Sequence, residues 1–222
     1  MQPYTFVTSR TAHYYSLGEP GPDIEHLWVC LHGHDQPVAD LAAQLVNLDT
    51  PERLLILPEA LSRHARPETS DQASDALALW FTPHSVAEDL ADATTYLDGL
   101  TDAIRTRCPA GTPVTVLGYG HGAAAALGWL TENHLVFVRL ILYAAVLPPE
   151  IDRRALFAAL PARPIVVVDT ATDGFSAEAD GRALVQDLLE AGQTARLSYA
   201  DEGLLTLAAL GAGGEAGGLR TH

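Results

Sequence analysis

The chain has 222 residues, with 28 acidic residues against 13 basic ones, and its formal net charge at neutral pH is −15. Nucleic acids and anionic membranes are bound through basic patches, so this charge argues against both as partners. Every basic residue is an arginine, so the chain has no lysine for Schiff-base or other catalytic-lysine chemistry.

The cellular setting is predicted from three features of the sequence. Two cysteines, Cys30 and Cys108, are typical of a protein kept in a reducing cytoplasm. No apolar run approaches the roughly 18 residues that a membrane-spanning helix needs. The first residues, Met1-Gln2-Pro3-Tyr4, carry neither a basic region nor a long apolar core. We therefore expect no signal peptide and a cytoplasmic location.

Apolar strand-like runs alternate with segments of helical spacing along the chain. Short β-type segments at 4–9 and 12–17 come first, and a polar stretch at 62–76 is predicted to be an irregular surface loop. Further strands are predicted at 27–31, 53–57, 114–117, 138–147, 164–168 and 195–200. Helices are predicted at 38–48, 86–107, 121–132, 153–160, 177–191 and 203–210.

This alternation predicts an α/β fold with a mostly parallel central sheet, because near-continuous apolar strands need helices on both faces of the sheet. We expect a single domain over residues 1–210, followed by a glycine-rich, flexible tail at 211–222. Sites in such sheets lie at the carboxyl ends of the strands. The informative loops are therefore those that begin at His32, Gly118, Asp169 and Asp201.

One of these loops contains the pattern Gly118-Tyr119-Gly120-His121-Gly122. An apolar strand precedes it and a run of small residues follows, which is the strand–turn–helix context of the G-x-S-x-G nucleophile elbow. The centre of that pattern normally carries a serine hydroxyl. Here the centre is Gly120, which has no side chain to attack a substrate.

With this pattern, the chain resembles the short bacterial phospholipase/carboxylesterase branch of the α/β-hydrolases. The resemblance rests on the elbow and on three further segments in family order: Leu31-His32-Gly33, Leu57-Pro58-Glu59-Ala60 and Trp80-Phe81. It implies the α/β-hydrolase fold and a cytoplasmic serine esterase, often dimeric, that cuts small carboxylic esters or lysophospholipids.

The resemblance also implies where a catalytic triad would stand. The nucleophile position is Gly120, the triad acid falls on Asp173, and the base position falls on Leu204. Two of the three roles are therefore unfilled. The backbone N–H groups of His34 and His121 would form the oxyanion hole.

Histidines offer a second constellation. His34 and His121 are expected within roughly 8 Å of each other, a range that a water or metal can bridge. His32 and His84 are expected beside them, Trp80 and Phe81 should border the same pocket, and Asp35 and Asp173 are candidate neighbours. Such a group could bind Zn²⁺ or Fe²⁺, could act as an acid or base, or could simply stabilise the fold and line the rim.

Three hypotheses for function follow. The first is a non-hydrolytic pseudo-enzyme that keeps a pocket for a partner or for a small ester-like or acyl-like molecule, with no cofactor and with a homodimer as the candidate assembly. The second is histidine-centred chemistry, as in an isomerase, a lyase or a metal-dependent enzyme. The third is a residual carboxylic ester hydrolase, as the family resemblance implies.

Overall fold

A computed structural model describes residues 2, 4–65, 76–132, 134–170 and 180–200. Its strands are β1 (Tyr14–Leu17), β2 (His26–Leu31), β3 (Arg53–Pro58), β4 (Ser62–Ala65), β5 (Ala76–Leu79), β6 (Val114–Tyr119), β7 (Arg139–Tyr143), β8 (Ile165–Thr170) and β9 (Ala195–Ala200). Its helices are α1 (Val38–Leu45), α2 (Val86–Arg105), α3 (Gly122–Thr131), α4 (Arg153–Ala159) and α5 (Gly181–Glu190), and a short 3-10 turn (Val46–Leu48) extends α1.

Seven of the strands form one sheet in the order β1-β3-β2-β6-β7-β8-β9. β1 runs antiparallel to β3, and every other neighbouring pair is parallel. All six residues of β2 and all six of β6 are buried, because helices cover both faces of the sheet centre. The predicted α/β architecture with a mostly parallel sheet is confirmed.

The two faces of the sheet carry separate cores. One contains Trp28, Leu55 and Leu117 and is covered by α1. The other is larger and is covered by α2, α3, α4 and α5, whose buried residues include Leu97 and Leu184. The near-continuous apolar strands supply both cores, since alternate side chains of a strand point to opposite faces.

Side-chain caps fix the starts of two short helices. The Asp152 carboxylate accepts a hydrogen bond from the N–H of Ala155 at the start of α4. The Asp180 carboxylate accepts from the N–H groups of Arg182 and Ala183 at the start of α5. These bonds satisfy backbone donors that the first turn of a helix leaves without partners.

The structure corrects three of the predicted elements. Residues 4–9 form no strand, and Phe6 is almost fully exposed because no neighbouring strand pairs with this segment. The predicted loop at 62–76 instead begins with β4 and reaches the first residue of β5, and these two strands pair as an antiparallel two-stranded sheet, while residues 66–75 lie outside the described residues. The strand predicted at 138–147 ends at Tyr143, because Ala144 turns the chain at a φ of 44°.

Other predictions fall partly or wholly outside the described residues. These include the helix at 203–210, the tail at 211–222 and the beginning of the helix at 177–191. Within the described part, no helix combines the length and the apolar character that crossing a membrane requires.

Candidate functional site

The turn between β6 and α3 has the geometry of an elbow. Gly120 stands at its apex with a φ of 53°, a left-handed conformation that favours glycine. The Gly120 N–H donates to the carbonyl of Tyr143, and the Gly120 carbonyl accepts from the N–H of Val146. These two bonds join the turn to the chain that follows β7. The predicted strand, sharp turn and helix are all present.

The flanking glycines let the strand and the helix approach closely. A Cβ atom on Gly118 would lie 2.5 Å from Cα of Ala123, and a Cβ on Gly122 would lie 2.5 Å from the carbonyl oxygens of Leu31 and His32. Gly120 differs, because its added Cβ would meet nothing nearer than Cα of Gly33 at 3.5 Å. There is room at the apex for a side chain, and the chain has none there.

His32 is fully buried and is held by the backbone on both sides of its ring. Its Nε2 accepts from the N–H of Ala60 at 3.1 Å, so its Nδ1 carries the hydrogen and donates to the carbonyl of Gly33 at 2.7 Å. Burial lowers the pKa of His32 to about 4, which keeps the ring neutral. This arrangement matches the fold-stabilising alternative for His32 and leaves neither ring nitrogen for a ligand.

Trp80 and Phe81 are both buried, but their side chains contact different histidines. Trp80 donates its Nε1–H to the carbonyl of His32 and packs against the His32 ring. Phe81 lies against the ring of His121, with the ring centroids 5.1 Å apart. Phe81 therefore belongs to the wall of the candidate site, while Trp80 braces the loop behind it.

The structure brings His34 and His121 together. Their Nδ1 atoms lie 3.0 Å apart, and the two rings meet edge to face with centroids separated by 4.7 Å. Topology explains the approach. His34 follows β2 and His121 follows β6, and these strands are parallel neighbours that pair Leu31 with Gly118 at their carboxyl ends. The predicted proximity is confirmed, and the roles assigned to these histidines remain predictions.

Asp35 extends this pair away from the turn. Its carboxylate lies 3.6 Å from Nε2 of His34 and 3.3 Å from Nε2 of His64, and its backbone has a φ of 50°. His64 is not among the site residues predicted from sequence, because it lies in the segment predicted to be an irregular loop. Only the pairing of β4 with β5 brings His64 to Asp35. Sequence spacing alone carries no signal for that contact.

A cavity of about 460 Å³ opens beside His121, within the usual size range for small-molecule pockets. Its wall comes from the segment before α2, from the elbow turn and from the chain between β7 and α4. The lining residues are Phe81, Pro83, Val86, His121, Val146, Leu147, Pro148, Pro149, Glu150 and Arg153. The site therefore combines an apolar wall with a few ionisable groups.

The remaining predicted residues lie away from this cavity or outside the described part of the chain. His84 is exposed and is not among the residues that line the cavity. The positions predicted for the triad acid and base, Asp173 and Leu204, lie outside the described residues. They follow β8 and β9, whose carboxyl ends lie on the same edge of the sheet as the elbow. Within the described residues, no group of three or more His, Cys, Asp or Glu could hold a metal ion.

The sheet order and the elbow are those of the α/β-hydrolase fold, and solved structures with similar architecture have the same fold. No protein-family model and no curated protein matches the chain. Esterase PE8 has a similar structure, with a TM-score of 0.62 and 18% identity over 89% of this chain and 93% of that one. Acyl-protein thioesterase 2 of Zea mays gives a TM-score of 0.61 and 16% identity over 88% and 91% of the two chains.

A third similar structure is a phospholipase/carboxylesterase from Dyadobacter fermentans, with a TM-score of 0.58 and 15% identity. It aligns over 90% of this chain and 92% of its own length. At these identities the likeness establishes the fold. The chain has the α/β-hydrolase fold, and the resemblance recognised in the sequence is confirmed at that level.

Proposed function

We propose that this protein is a non-hydrolytic member of the phospholipase/carboxylesterase group that binds a small ester-like or acyl-like molecule. The observation that carries the proposal is Gly120, which stands at the apex of the elbow in a left-handed conformation and has no side chain. Hydrolysis by this class of fold starts with attack by a serine hydroxyl held at such an apex. The similar structures named as esterases and a thioesterase support an ester or acyl ligand.

The two cysteine thiols and the Tyr119 phenol, which precedes Gly120 in the elbow, are poorly suited to replace the missing serine. Burial, helped by the adjacent Tyr143, raises the pKa of Tyr119 to about 12 and keeps the phenol neutral. Cys30 is fully buried, and burial raises the pKa of its thiol far above the ordinary range. Burial also raises the pKa of the Cys108 thiol. A neutral thiol or phenol is a weak nucleophile.

The test is a combined turnover and labelling experiment. We expect the protein to hydrolyse p-nitrophenyl acetate and butyrate no faster than its Gly120→Ala variant, and to resist covalent labelling by a fluorophosphonate. The Gly120→Ala variant is the matched control, because it changes the apex without adding a nucleophile. Labelling of any residue, or turnover well above the buffer rate in both proteins, would reveal another nucleophile and overturn the proposal.

A second candidate function is acid–base catalysis on a molecule in the cavity, favoured by the chain of contacts from His121 through His34 to Asp35. An imidazole that is oriented by a second group is a common general base. We would test it by following solvent deuterium into the carbon next to the carbonyl of a short-chain ketone by NMR. Exchange that disappears in His121→Gln would support this function, and exchange equal to the buffer rate would exclude it for that substrate.

We extend the proposal to the cellular setting. The free thiols of Cys30 and Cys108 fit a reducing cytoplasm, and the net charge of −15 disfavours nucleic acid as a partner. We propose one domain over residues 1–210, no cofactor, and a homodimer as the assembly to look for. Light scattering coupled to gel filtration would measure the assembly directly.

A further inference from the structure

The segment before β1, residues 4–9, presents large apolar side chains to solvent, and we name it the leading segment. Tyr4, Phe6 and Val7 are 86%, 91% and 88% exposed. Five of its six residues are tyrosine, threonine, phenylalanine or valine, the types that favour strands. Neighbouring apolar residues that are this exposed mark a surface that another molecule covers. The leading segment therefore has the composition of a strand but pairs with no strand of the described chain.

β1 is an edge strand of the seven-stranded sheet, and its outer side faces no other strand among the described residues. The carbonyl of His13 accepts from the N–H of Glu59 on the inner side. The alternation of an antiparallel ladder therefore turns the backbone groups of Tyr14 and Ser16 outward. Exposed edges are usually protected by charged residues or proline, and β1 contains neither. This edge is therefore open to the addition of another strand.

The chain between the leading segment and β1 runs past the end of β3. The carbonyl of His13 also accepts from the hydroxyl of Tyr96, which fixes this point of the chain beside α2. Farther from β1, Arg10 lines a surface pocket together with residues of β4 and β5. Because this path leads away from the outer edge of β1, the leading segment does not fold back along its own edge strand.

One antiparallel pairing of two copies covers both open edges at once. If Thr11 lies opposite Thr11 of a second copy on a two-fold axis, each leading segment lies along β1 of the other copy. Val7 then lies opposite Tyr15, and Phe6 lies diagonal to Tyr14. Aromatic and β-branched pairs of this kind stabilise sheets, and the register places no two like charges opposite each other. A second copy of this chain therefore fits the open edge.

We propose that two copies of this chain form a dimer in which the leading segment of each adds as a strand to the outer edge of β1 in the other. An aromatic side chain buries about 150–250 Å². Tyr4 and Phe6 of both copies, with the surface that covers them, amount to on the order of 1,200 Å², the lower end of stable interfaces. Neither the leading segment nor β1 contains a charged residue, so two chains that each carry a net charge of −15 meet here without direct repulsion.

Sedimentation velocity of the full chain tests the dimer. An interface of this size should hold the chain as a dimer above about 10 µM. Phe6→Asp should weaken dimerisation at least about thirtyfold, because it places a carboxylate in the buried strand pair. Since Phe6 is almost fully exposed in one copy, this substitution leaves the monomer fold intact. The matched control is Val136→Asp, which adds the same charge at a side chain that is 68% exposed near β7 and should remain dimeric.

A pair of cysteine substitutions tests the register. Val7→Cys combined with Tyr15→Cys puts two thiols opposite each other across the proposed strand pair, within the range that a disulfide can bridge. Mild oxidation of this double variant should give a covalent dimer on a non-reducing gel, and neither single variant should do so. The unmodified chain controls for its own thiols, of which Cys30 is buried and Cys108 is half-buried.

Each contrary outcome overturns the proposed dimer. A chain that sediments as a monomer up to about 100 µM has no interface of the expected size. A dimer that persists in Phe6→Asp, or that is lost equally in Val136→Asp, does not depend on the leading segment. A disulfide formed within one copy of the double cysteine variant would mean that the segment folds back on its own β1. The proposed function is tested separately by turnover and labelling, and none of these outcomes affects it.

Discussion

At the scale of single residues, the three glycines of the elbow are required for different physical reasons. Gly118 and Gly122 face backbone atoms that a Cβ would overlap, whereas Gly120 has space around it but a left-handed backbone. The cost of replacing an outer glycine is therefore steric and requires the strand or the helix to move. The cost of replacing the central glycine is conformational strain within one residue.

A pair of alanine substitutions tests this distinction. Gly120→Ala should lower the free energy of unfolding by about 1–2 kcal/mol, the usual cost of the left-handed conformation for a residue with a Cβ. Gly122→Ala should cost about 3 kcal/mol or more, because its Cβ overlaps two carbonyl oxygens. Urea unfolding of both variants measures the difference. Equal losses would mean that the helix does not cross the strand as closely as described.

His32 gives a prediction about pH. Its pKa is about 4 in the folded chain, against about 6.5 in an unfolded one, so the unfolded chain binds the proton more readily between these values. His32 therefore contributes stability above pH 6.5, and this contribution is lost as the pH falls toward 4. The gap between the two pKa values corresponds to roughly 3 kcal/mol.

Comparison with His32→Gln isolates this contribution, because the carboxylates titrate in both proteins. Between pH 6.5 and 4, the unmodified protein should lose roughly 3 kcal/mol more stability than the variant. The His32 ring should also stay neutral through pH 5 when followed by NMR. Ring signals that titrate near pH 6.5 would contradict the buried, doubly bonded arrangement.

At the scale of elements, Asp98 joins α2 to the end of α3. One of its carboxylate oxygens accepts from Nε1 of buried Trp129 at 2.6 Å, and the other lies 2.7 Å from Nδ1 of exposed His134. The hydrogen bond to Asp98 raises the pKa of His134. The ion pair of His134 with Asp98 therefore contributes to folding stability below the pKa of His134 in the unfolded chain. This contribution is lost as the pH rises through the pKa of His134 in the folded chain.

Two substitutions distinguish the two bonds of Asp98. Asp98→Ala should cost about 1–3 kcal/mol, because it leaves the buried Nε1–H of Trp129 without its acceptor. His134→Ala should cost far less and only at acidic pH, because exposed ion pairs contribute little. Thermal melts at pH 5 and pH 8, read by tryptophan fluorescence, measure both. A large, pH-independent loss in His134→Ala would contradict this assignment.

Elements differ in how much of them the sequence predicts. The buried strands β2, β6 and β8 are predicted correctly, because a short continuous apolar run is typical of a strand in the covered centre of a parallel sheet. The segment at 4–9 reads locally as a β-type segment but has no partner strand, and β4 lies in a stretch, 62–76, that is too polar to indicate a strand. The contact between His34 and His121 is predictable from parallel neighbours, whereas that of His64 depends on a hairpin.

At the scale of the whole molecule, the predicted triad positions lie in three separate segments of the sequence. Gly120 follows β6, and Asp173 and Leu204 come after β8 and β9 in the chain, outside the described residues. Restoring hydrolysis therefore requires changes in separate segments. Gly120→Ser alone supplies a hydroxyl without a base, and Leu204→His alone supplies a base without a nucleophile. We expect weak but measurable hydrolysis of p-nitrophenyl butyrate from the double variant and none from either single variant.

This prediction depends on the base position that the family resemblance implies. If Gly120→Ser alone were as active as the double variant, Leu204 would not mark the position of the lost base. Asp173→Asn in the double variant provides the control for the triad acid, and it should remove most of the restored rate if Asp173 holds the new imidazole.

The close crossing of β6 and α3 has a consequence for how such chains are recognised. Gly118 and Gly122 are required by backbone packing, whether or not the protein hydrolyses a substrate. A protein of this fold that no longer hydrolyses a substrate can lose the serine. It still needs the two outer glycines, because a Cβ atom at either position would overlap backbone atoms of the core. The spacing of these glycines therefore reflects packing of the strand against the helix. Sequence surveys that search for this spacing alone will also collect proteins that lack the serine nucleophile.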